Sequence, residues 1–388
     1  LNAIGETLAS AVASSLRRVI NGTGVIIHTN LGRSPVGEAI WADAESVVTG
    51  YSNVEFDLEA GARGKRDEHL TSLCKSVFGC EAAVLTNNNA AAVLLLLSAV
   101  APRKEVVVSR GELVEIGGGF RVPEVIQQGG AKLHEVGTTN RTRAKDYAAA
   151  VSRKTAAILR VHRSNFDIVG FTETPRIEEL ADVARQKRVP LLYDEGSGRI
   201  VDLDRYGFSK EMTVRELIAA GVDAITCSTD KLIGATQGGL IIGRAEIIDR
   251  CRRHPLMRAL RAGKESYATI GATLRAFATG KHEDVVPIYR MLATPIDVLR
   301  QRAADLSRDT SAEIVDSRAV LGGGTTPAES IASVAIAVPG SAEANYDRFL
   351  KSPAPIVGRI ADDRFTLDLR TLLPDDLPTV RQAMVQAR

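Results

Sequence analysis

Short apolar runs rich in β-branched residues recur along the chain at Ala82–Leu85, Glu105–Ser109, Lys132–Val136, Ala156–Val161, Pro190–Tyr193, Val222–Cys227 and Gly239–Ile242. Between them, Ala90–Ala101, Ile177–Arg188 and Thr213–Ala220 carry helical periodicity. Strand-like runs with little polar alternation, separated by helices, predict an α/β chain whose mostly parallel sheet is covered on both faces. Upstream, Leu1–Arg18 reads as a helix, and Val19–Thr29 alternates as a strand running into the turn Asn30-Leu31-Gly32-Arg33-Ser34. Downstream, residues 286–309 read as one long helix. Glu313–Val320, Ile331–Val338, a helix near Ala342–Leu350, Ile356–Leu369 and a helix near Asp376–Ala387 then predict a small α+β unit. The expected organisation is an N-terminal helix and arm (1–40), a large α/β domain (41–285), and a linking helix with a small C-terminal domain (286–388).

Composition narrows the choice of function. With 45% hydrophobic and 25% charged residues in 388, the chain is globular and has ample core. A net charge of +2 means that nucleic-acid binding needs a local basic patch or a further segment, and 4% aromatics argue against a base-stacking platform. The longest apolar run, Ala90–Ala101, is too short to span a bilayer, and no secretory leader opens the chain. Cys74, Cys80, Cys227 and Cys251 show no CxxC spacing and the six histidines are scattered, which argues against a disulfide framework or a zinc site. A cytoplasmic protein with no membrane association and no metal is the expectation.

The candidate chemistry lies at strand ends. In Cys227-Ser228-Thr229-Asp230-Lys231-Leu232-Ile233-Gly234 an apolar strand delivers Lys231 into a glycine turn, where lost solvation lowers an amine's pKa and suits it to form a Schiff base. Leu191-Leu192-Tyr193-Asp194 is a second apolar strand, and it ends in an acid. Ligands of such sheets bind beyond the carboxyl ends of the strands, so Asp194 and Lys231 are expected at one crevice. The stretch Thr86-Asn87-Asn88-Asn89-Ala90 closes a third strand and opens the apolar helix, and free amides there suit a phosphate. A phosphate cradle, an acid and a lysine, in that order along the chain, are what pyridoxal 5′-phosphate requires. Ser228 is placed to add a hydroxyl to the phosphate, and Ser197 to tune the ring from beside Asp194. Arg258 and Arg261, spaced i and i+3, fall on one face of a helix and suit an oxyanion, with Arg33 as a third cation. A solvated charged face is the alternative for that pair.

Longer motifs add a family. Ile20-Asn21-Gly22-Thr23-Gly24-Val25-Ile26-Ile27-His28-Thr29-Asn30-Leu31-Gly32-Arg33, Ser52-Asn53-Val54-Glu55-Phe56-Asp57-Leu58-Glu59-Ala60-Gly61-Ala62-Arg63-Gly64 and Asn87-Asn88-Asn89-Ala90-Ala91-Ala92-Val93 are three of them. Ser109-Arg110-Gly111-Glu112-Leu113-Val114-Glu115-Ile116-Gly117-Gly118, Gly137-Thr138-Thr139-Asn140-Arg141-Thr142 and Val161-His162-Arg163-Ser164-Asn165-Phe166 complete the set. On these the chain resembles the bacterial selenocysteine synthases, the seryl-tRNA selenium transferases, over essentially its whole length. The resemblance implies a pyridoxal phosphate-dependent transferase of fold type I. Its lysine falls on Lys231, and its phosphate- and substrate-binding arginines fall on Arg33, Arg258 and Arg261. It implies conversion of L-seryl-tRNA(Sec) to L-selenocysteinyl-tRNA(Sec) with selenophosphate, by β-elimination to an aminoacrylate followed by selenium addition. It also implies a homo-oligomer of dimers closing into a decamer, and a small N-terminal tRNA-binding domain that is largely absent from this sequence.

The chain departs from the family pattern at four places. Asp194-Glu195-Gly196-Ser197-Gly198 stands where the family usually has Asp-Leu-Gly-Ser-Gly, and Ser228-Thr229-Asp230-Lys231 where it has Ser-Gly-Asp-Lys. Gly234-Ala235-Thr236-Gln237-Gly238-Gly239 replaces Gly-Gly-Pro-Gln-Ala-Gly, and Arg261-Ala262-Gly263-Lys264 replaces Arg-Val-Asp-Lys. The last leans toward related ammonia lyases acting on phosphorylated amino sugars, the second reading. A non-catalytic tRNA-binding relative is the third, and intact Lys231 and Asp194 weigh against it. Arg110 and Glu112 are the candidates for contact with the cofactor ring.

Overall fold

The structure, a computed structural model, describes residues 14–385 except 118, 309 and 327–328. Seven strands form the central sheet: β1 (Ala82–Thr86), β2 (Glu105–Ser109), β3 (Lys132–Val136), β4 (Thr155–Val161), β5 (Leu191–Gly196), β6 (Ala224–Ser228) and β7 (Gly239–Gly243). Their spatial order is β1-β7-β6-β5-β4-β2-β3. Only β7 runs against its neighbours; the β6–β5, β5–β4, β4–β2 and β2–β3 pairs are parallel. The mostly parallel α/β sheet expected from the apolar runs is therefore present.

Side chains alternate between two cores, as the pleat requires. One face of the sheet (Leu85, Val107, Ile158, Leu191, Ile225, Leu240) packs against α1 (Glu68–Phe78), α2 (Ala144–Ala150), α3 (Ile177–Lys187) and α4 (Lys264–Ala278). The opposite face (Val84, Val106, Leu159, Leu192, Ala224, Ile241) packs against the helices Asn89–Val100 and Ala245–Arg253. Asn89–Val100, called the cradle helix below, is apolar almost all round because it lies between the sheet and other helices, and nearly every residue in it is buried.

Chain contacts divide the molecule into two units: one of residues 26–293 with 320–331, the other of residues up to Val25 with 294–319 and 332–388. Against the boundaries expected at 40 and 285, residues 26–40, 286–293 and 320–331 group with the large unit. In the smaller unit, a four-stranded sheet comprises Glu313–Val320, Ser330–Val338, Arg359–Ala361 and Arg364–Asp368, with helices Ile296–Ser307, Ala342–Leu350 and Leu377–Val385.

Three elements differ from the sequence reading. The expected strand Val19–Thr29 is reduced to Ile20–Asn21, which pairs in parallel with Ile356–Val357. Gly22 and Gly24 interrupt it, and Gly24 has a φ of 77° that ends extended pairing. The long helix over 286–309 is two helices, Pro287–Ala293 and Ile296–Ser307, because Pro295 removes an amide and biases Thr294 out of the helical region. The N-terminal helix falls mostly on residues 1–13, outside the described residues, and residues 14–18 are not helical. Among the described residues no helix is long and apolar enough to cross a membrane, and no cluster of side chains could hold a metal ion.

Candidate active site

Asp194 and Lys231 reach the same end of the sheet because β5 and β6 are adjacent and parallel. Asp194 stands opposite Thr226, after which the register slips by one residue and Gly196 pairs with Cys227. The parity that turns Leu192 and Ala224 toward the cradle helix turns Asp194 and Thr226 the same way. The Asn89 amide nitrogen and the Thr226 hydroxyl both donate to Asp194 Oδ1, at 2.9 and 2.8 Å. Both donors converge on one oxygen, so Oδ2 is left for another partner. The residue is only 5% exposed, and burial pushes its carboxyl above the usual carboxylate range despite the two donors.

The turn carrying Lys231 is held by its backbone. The Thr229 amide donates to the Gly238 carbonyl at 3.0 Å, the Leu232 amide to the Ser197 carbonyl at 2.9 Å, and the Ser34 hydroxyl to the Lys231 carbonyl at 2.6 Å. Lys231 is buried, and its Nζ donates to the Gly324 carbonyl at 3.3 Å. Burial moves this amine below the ordinary lysine range, opposed by Asp194, Glu195 and Asp230. Arg33 pairs with Asp230 at 2.6 Å, one residue from the lysine. Gly324 has a φ of 90°, and a Cβ there would collide with the lysine amine, so glycine is what lets this loop cover Nζ.

The cradle forms as the sequence suggests, with one change. Asn88 is the N-cap, its side chain accepting from the Ala91 amide at 2.8 Å, which leaves the Asn89 and Ala90 amides at the open end of the helix. The Asn87 amide donates instead to the Leu260 carbonyl at 2.8 Å, so its backbone is not available to a phosphate. The Ser228 hydroxyl, at the end of β6, makes no hydrogen bond among the described residues. Strand β7 begins so close to the cap that a Cβ at Gly239 would meet the Asn88 carbonyl, which fixes the cap against the sheet.

Other expected site residues lie elsewhere. Ser197 is not beside Asp194: its hydroxyl donates to Glu195, whose carboxylate also accepts from the Gly198 amide at 2.6 Å. Glu195 alternates to the opposite face from Asp194 and takes Ser197 with it. Arg258 and Arg261 do not share a helix face, because the helix Leu256–Leu260 ends between them and Arg261 is extended, bridged to Thr86. Arg258 is exposed, whereas Arg261 binds Glu55 at 2.9 Å. Arg110 turns to Glu135 and the Gly137 carbonyl, and Glu112 is buried in a 2.7 Å pair with Arg160, so each is engaged by other partners. Sequence reasoning missed Thr226 and Gly324. Strand parity from Asp194 carries a signal for the first; for the second the only trace is the Gly322-Gly323-Gly324 run, which does not say what it covers.

These residues fit pyridoxal 5′-phosphate. Among the described residues, Asp194 Oδ2 is left for a ring N–H, Asn89 Oδ1 is a buried acceptor without a partner, and the Lys231 amine is bound only to a carbonyl. Two results are expected. A carboxyl whose folded pKa is raised binds its proton more tightly in the folded state, so stability falls as pH rises from the unfolded to the folded pKa. Asp194→Asn, which keeps an oxygen for both donors, should therefore raise the melting temperature of the cofactor-free protein near neutral pH but not in acid. It should also cost roughly 10²–10³-fold in turnover; a lower melting temperature near neutral pH contradicts this. The rate of cofactor uptake by the same protein should rise with pH around a midpoint below the ordinary lysine value of about 10.4. Asp230→Asn should lower that midpoint further, and stopped-flow absorbance reads both.

The profile of L-seryl-tRNA selenium transferase matches residues 19–373. The L-seryl-tRNA(Sec) selenium transferase of Geobacter sulfurreducens is 46% identical over 396 residues, covering 98% of this chain and 85% of that protein. Among solved structures, a D-glucosaminate-6-phosphate ammonia-lyase superposes with a TM-score of 0.70 at 20% identity, covering 98% of this chain and 97% of that one. An alanine–glyoxylate aminotransferase from Nostoc sp. superposes with a TM-score of 0.51 at 14% identity, covering 96% of each. The two structures bear on the fold alone, which is that of the fold type I pyridoxal phosphate enzymes. The sequence matches go further: this chain belongs to the L-seryl-tRNA selenium transferase family, whose members work with pyridoxal 5′-phosphate.

Proposed function

We propose that this protein converts L-seryl-tRNA(Sec) to L-selenocysteinyl-tRNA(Sec), with selenophosphate as the selenium donor. The observation that carries the reading is Asp194 Oδ1 held by Asn89 and Thr226 at the strand end beside the buried Lys231. Identity of 46% over 98% of the chain to a selenium transferase favours this substrate over the phosphorylated amino sugar of the lyase reading, which rests on the Arg261-Ala262-Gly263-Lys264 departure.

Bound here, pyridoxal phosphate supplies an electron sink for the bonding pair released at the seryl Cα. Asp194 Oδ2 would accept the ring N–H and keep it protonated, and the raised pKa of this carboxyl would fall beside that cation. The Asn89 and Ala90 amides and the Ser228 hydroxyl would hold the cofactor phosphate. The Lys231 amine would be the base that takes the seryl Cα proton, a role that its lowered pKa favours. Asp230 lies within reach of that amine's charge, tied to Arg33. Arg33 and Arg261 hold the anionic donor, and Arg258, exposed in this chain, is the third candidate for that role.

Assembly with further copies is part of this reading. Tyr51, Phe56, Leu58, Val169 and Phe171 are exposed apolar side chains, as expected of surfaces that a homo-oligomer covers. The ring of dimers rests on the family resemblance. Free, buried cysteines agree with a reducing cytoplasm.

Full-length protein incubated with charged seryl-tRNA(Sec) and selenophosphate should yield selenocysteinyl-tRNA by mass spectrometry, and Lys231→Ala should lower the yield by at least roughly 10²-fold. No selenium incorporation, together with ammonia release from a phosphorylated amino sugar, would replace this reading with the lyase.

A further inference from the structure

The proposed chemistry leaves Glu55 without a task, although three arginines surround it. Its Oε1 accepts from Arg66 Nη2 at 2.8 Å and from Arg261 Nη1 at 2.9 Å, and its Oε2 lies 3.8 Å from Arg63. The Arg66 hydrogen bond, with the charges of all three arginines, holds the Glu55 carboxyl below the usual range, so it stays charged near neutral pH. One carboxylate against three guanidiniums leaves a surplus of positive charge. Arg66 sits deepest, its side chain 16% exposed and its Nε buried without a hydrogen-bond partner; another arm donates to the Ala262 carbonyl. Arg261 bridges to Thr86 and Leu260 receives the Asn87 amide, so the cluster adjoins the cradle. Nearby Asp67 is engaged by the Tyr267 hydroxyl at 2.7 Å and by Arg252, so Glu55 is the anion that neutralises this cluster.

We propose that Glu55 is a resident counterion: it occupies the Arg66–Arg261 anion site at rest, and the phosphate-type oxyanion of the selenium donor displaces it. Arg66 thereby joins Arg261 as an anion-holding residue. The inference rests on the reading that Arg261 holds the donor. A phosphate oxygen can take the place of Glu55 Oε1, accepting from Arg66 and Arg261 together, so one anion can replace the other without moving the arginines. The exchange is cheap because Glu55 is about one-third exposed, and a pair of that exposure holds little net energy. Glu55 leads into the hairpin Phe56–Asp57/Ala62–Arg63, whose residues are exposed. A multiply charged oxyanion outcompetes one carboxylate for these arginines, whereas a monoanion does not, so the counterion also selects for the donor's charge.

Calorimetric titration of the holoenzyme with inorganic phosphate tests this, because the loaded cofactor already fills the cradle. Glu55→Gln keeps the side chain's shape and removes its charge, and it should tighten phosphate binding by roughly fivefold or more. Arg66→Met and Arg261→Met should each weaken it by a similar factor. If wild type binds phosphate and Arg261→Met abolishes binding while Glu55→Gln leaves it unchanged or weaker, Glu55 merely organises the arginines and the counterion is overturned. If wild type does not bind phosphate and Arg261→Met changes nothing, the donor-site reading fails and the counterion with it. A melting curve matching wild type shows that a weaker Glu55→Gln is not misfolded, and Glu55→Asp, which keeps the charge, should bind no tighter than wild type.

Discussion

A carboxylate denied water, with both of its protein donors on one oxygen, is the constraint on which the rest of this site depends. Burying Asp194 is unfavourable, and its raised pKa records the penalty. Two neutral donors offset only part of that penalty, so the cofactor-free protein holds a charge waiting for a cation. A protonated pyridine ring is a cation of the right shape, with its N–H in the ring plane. The local instability of the strand end is thus what gives the site its affinity and its polarity.

The surrounding architecture exists to hold that carboxylate and an amine in fixed relation. Parallel pairing of β5 with β6 puts the acid opposite Thr226 and brings the lysine round through a turn pinned to Ser197, Gly238 and Ser34. The cradle helix contributes Asn89 to the acid and leaves its first amides open, so in the proposed site one element serves both ends of the cofactor. Its apolar circumference, packed against the sheet and the neighbouring helices, keeps it from shifting. Lys231 suffers the complementary penalty, since burial favours its neutral form. In the proposed reaction the amine pushed down is the base, and the acid regains its charge beside the cationic ring.

Much of this was legible in the chain. Seven apolar runs match seven strands to within three residues at either end, because strands buried on both faces leave little room for polar residues. Lys231, Asp194 and the Asn88 cap sit at strand or helix ends, where local sequence marks them. Contacts between distant segments were not legible. Thr226 joins Asp194 through strand pairing, and Gly324 covers Lys231 from a loop 93 residues away. Ser197 turned away from Asp194 because its hydroxyl donates to Glu195, which strand alternation puts on the opposite face. Arg258 and Arg261 were misplaced because periodicity was carried past the end of a five-residue helix. Glu55 looked like one acid in a polar stretch, and only the fold shows the three arginines around it.

The most direct measurement of the central claim is a crystal structure of the holoenzyme, read at the ring nitrogen of the cofactor. This account predicts that Asp194 Oδ2 lies within hydrogen-bond distance of it, about 2.7–3.2 Å. Oδ1 should keep Asn89 and Thr226, and Lys231 Nζ should be joined to the cofactor's aldehyde carbon. A ring nitrogen facing solvent or a neutral side chain, or a cofactor joined to a different lysine, would contradict it.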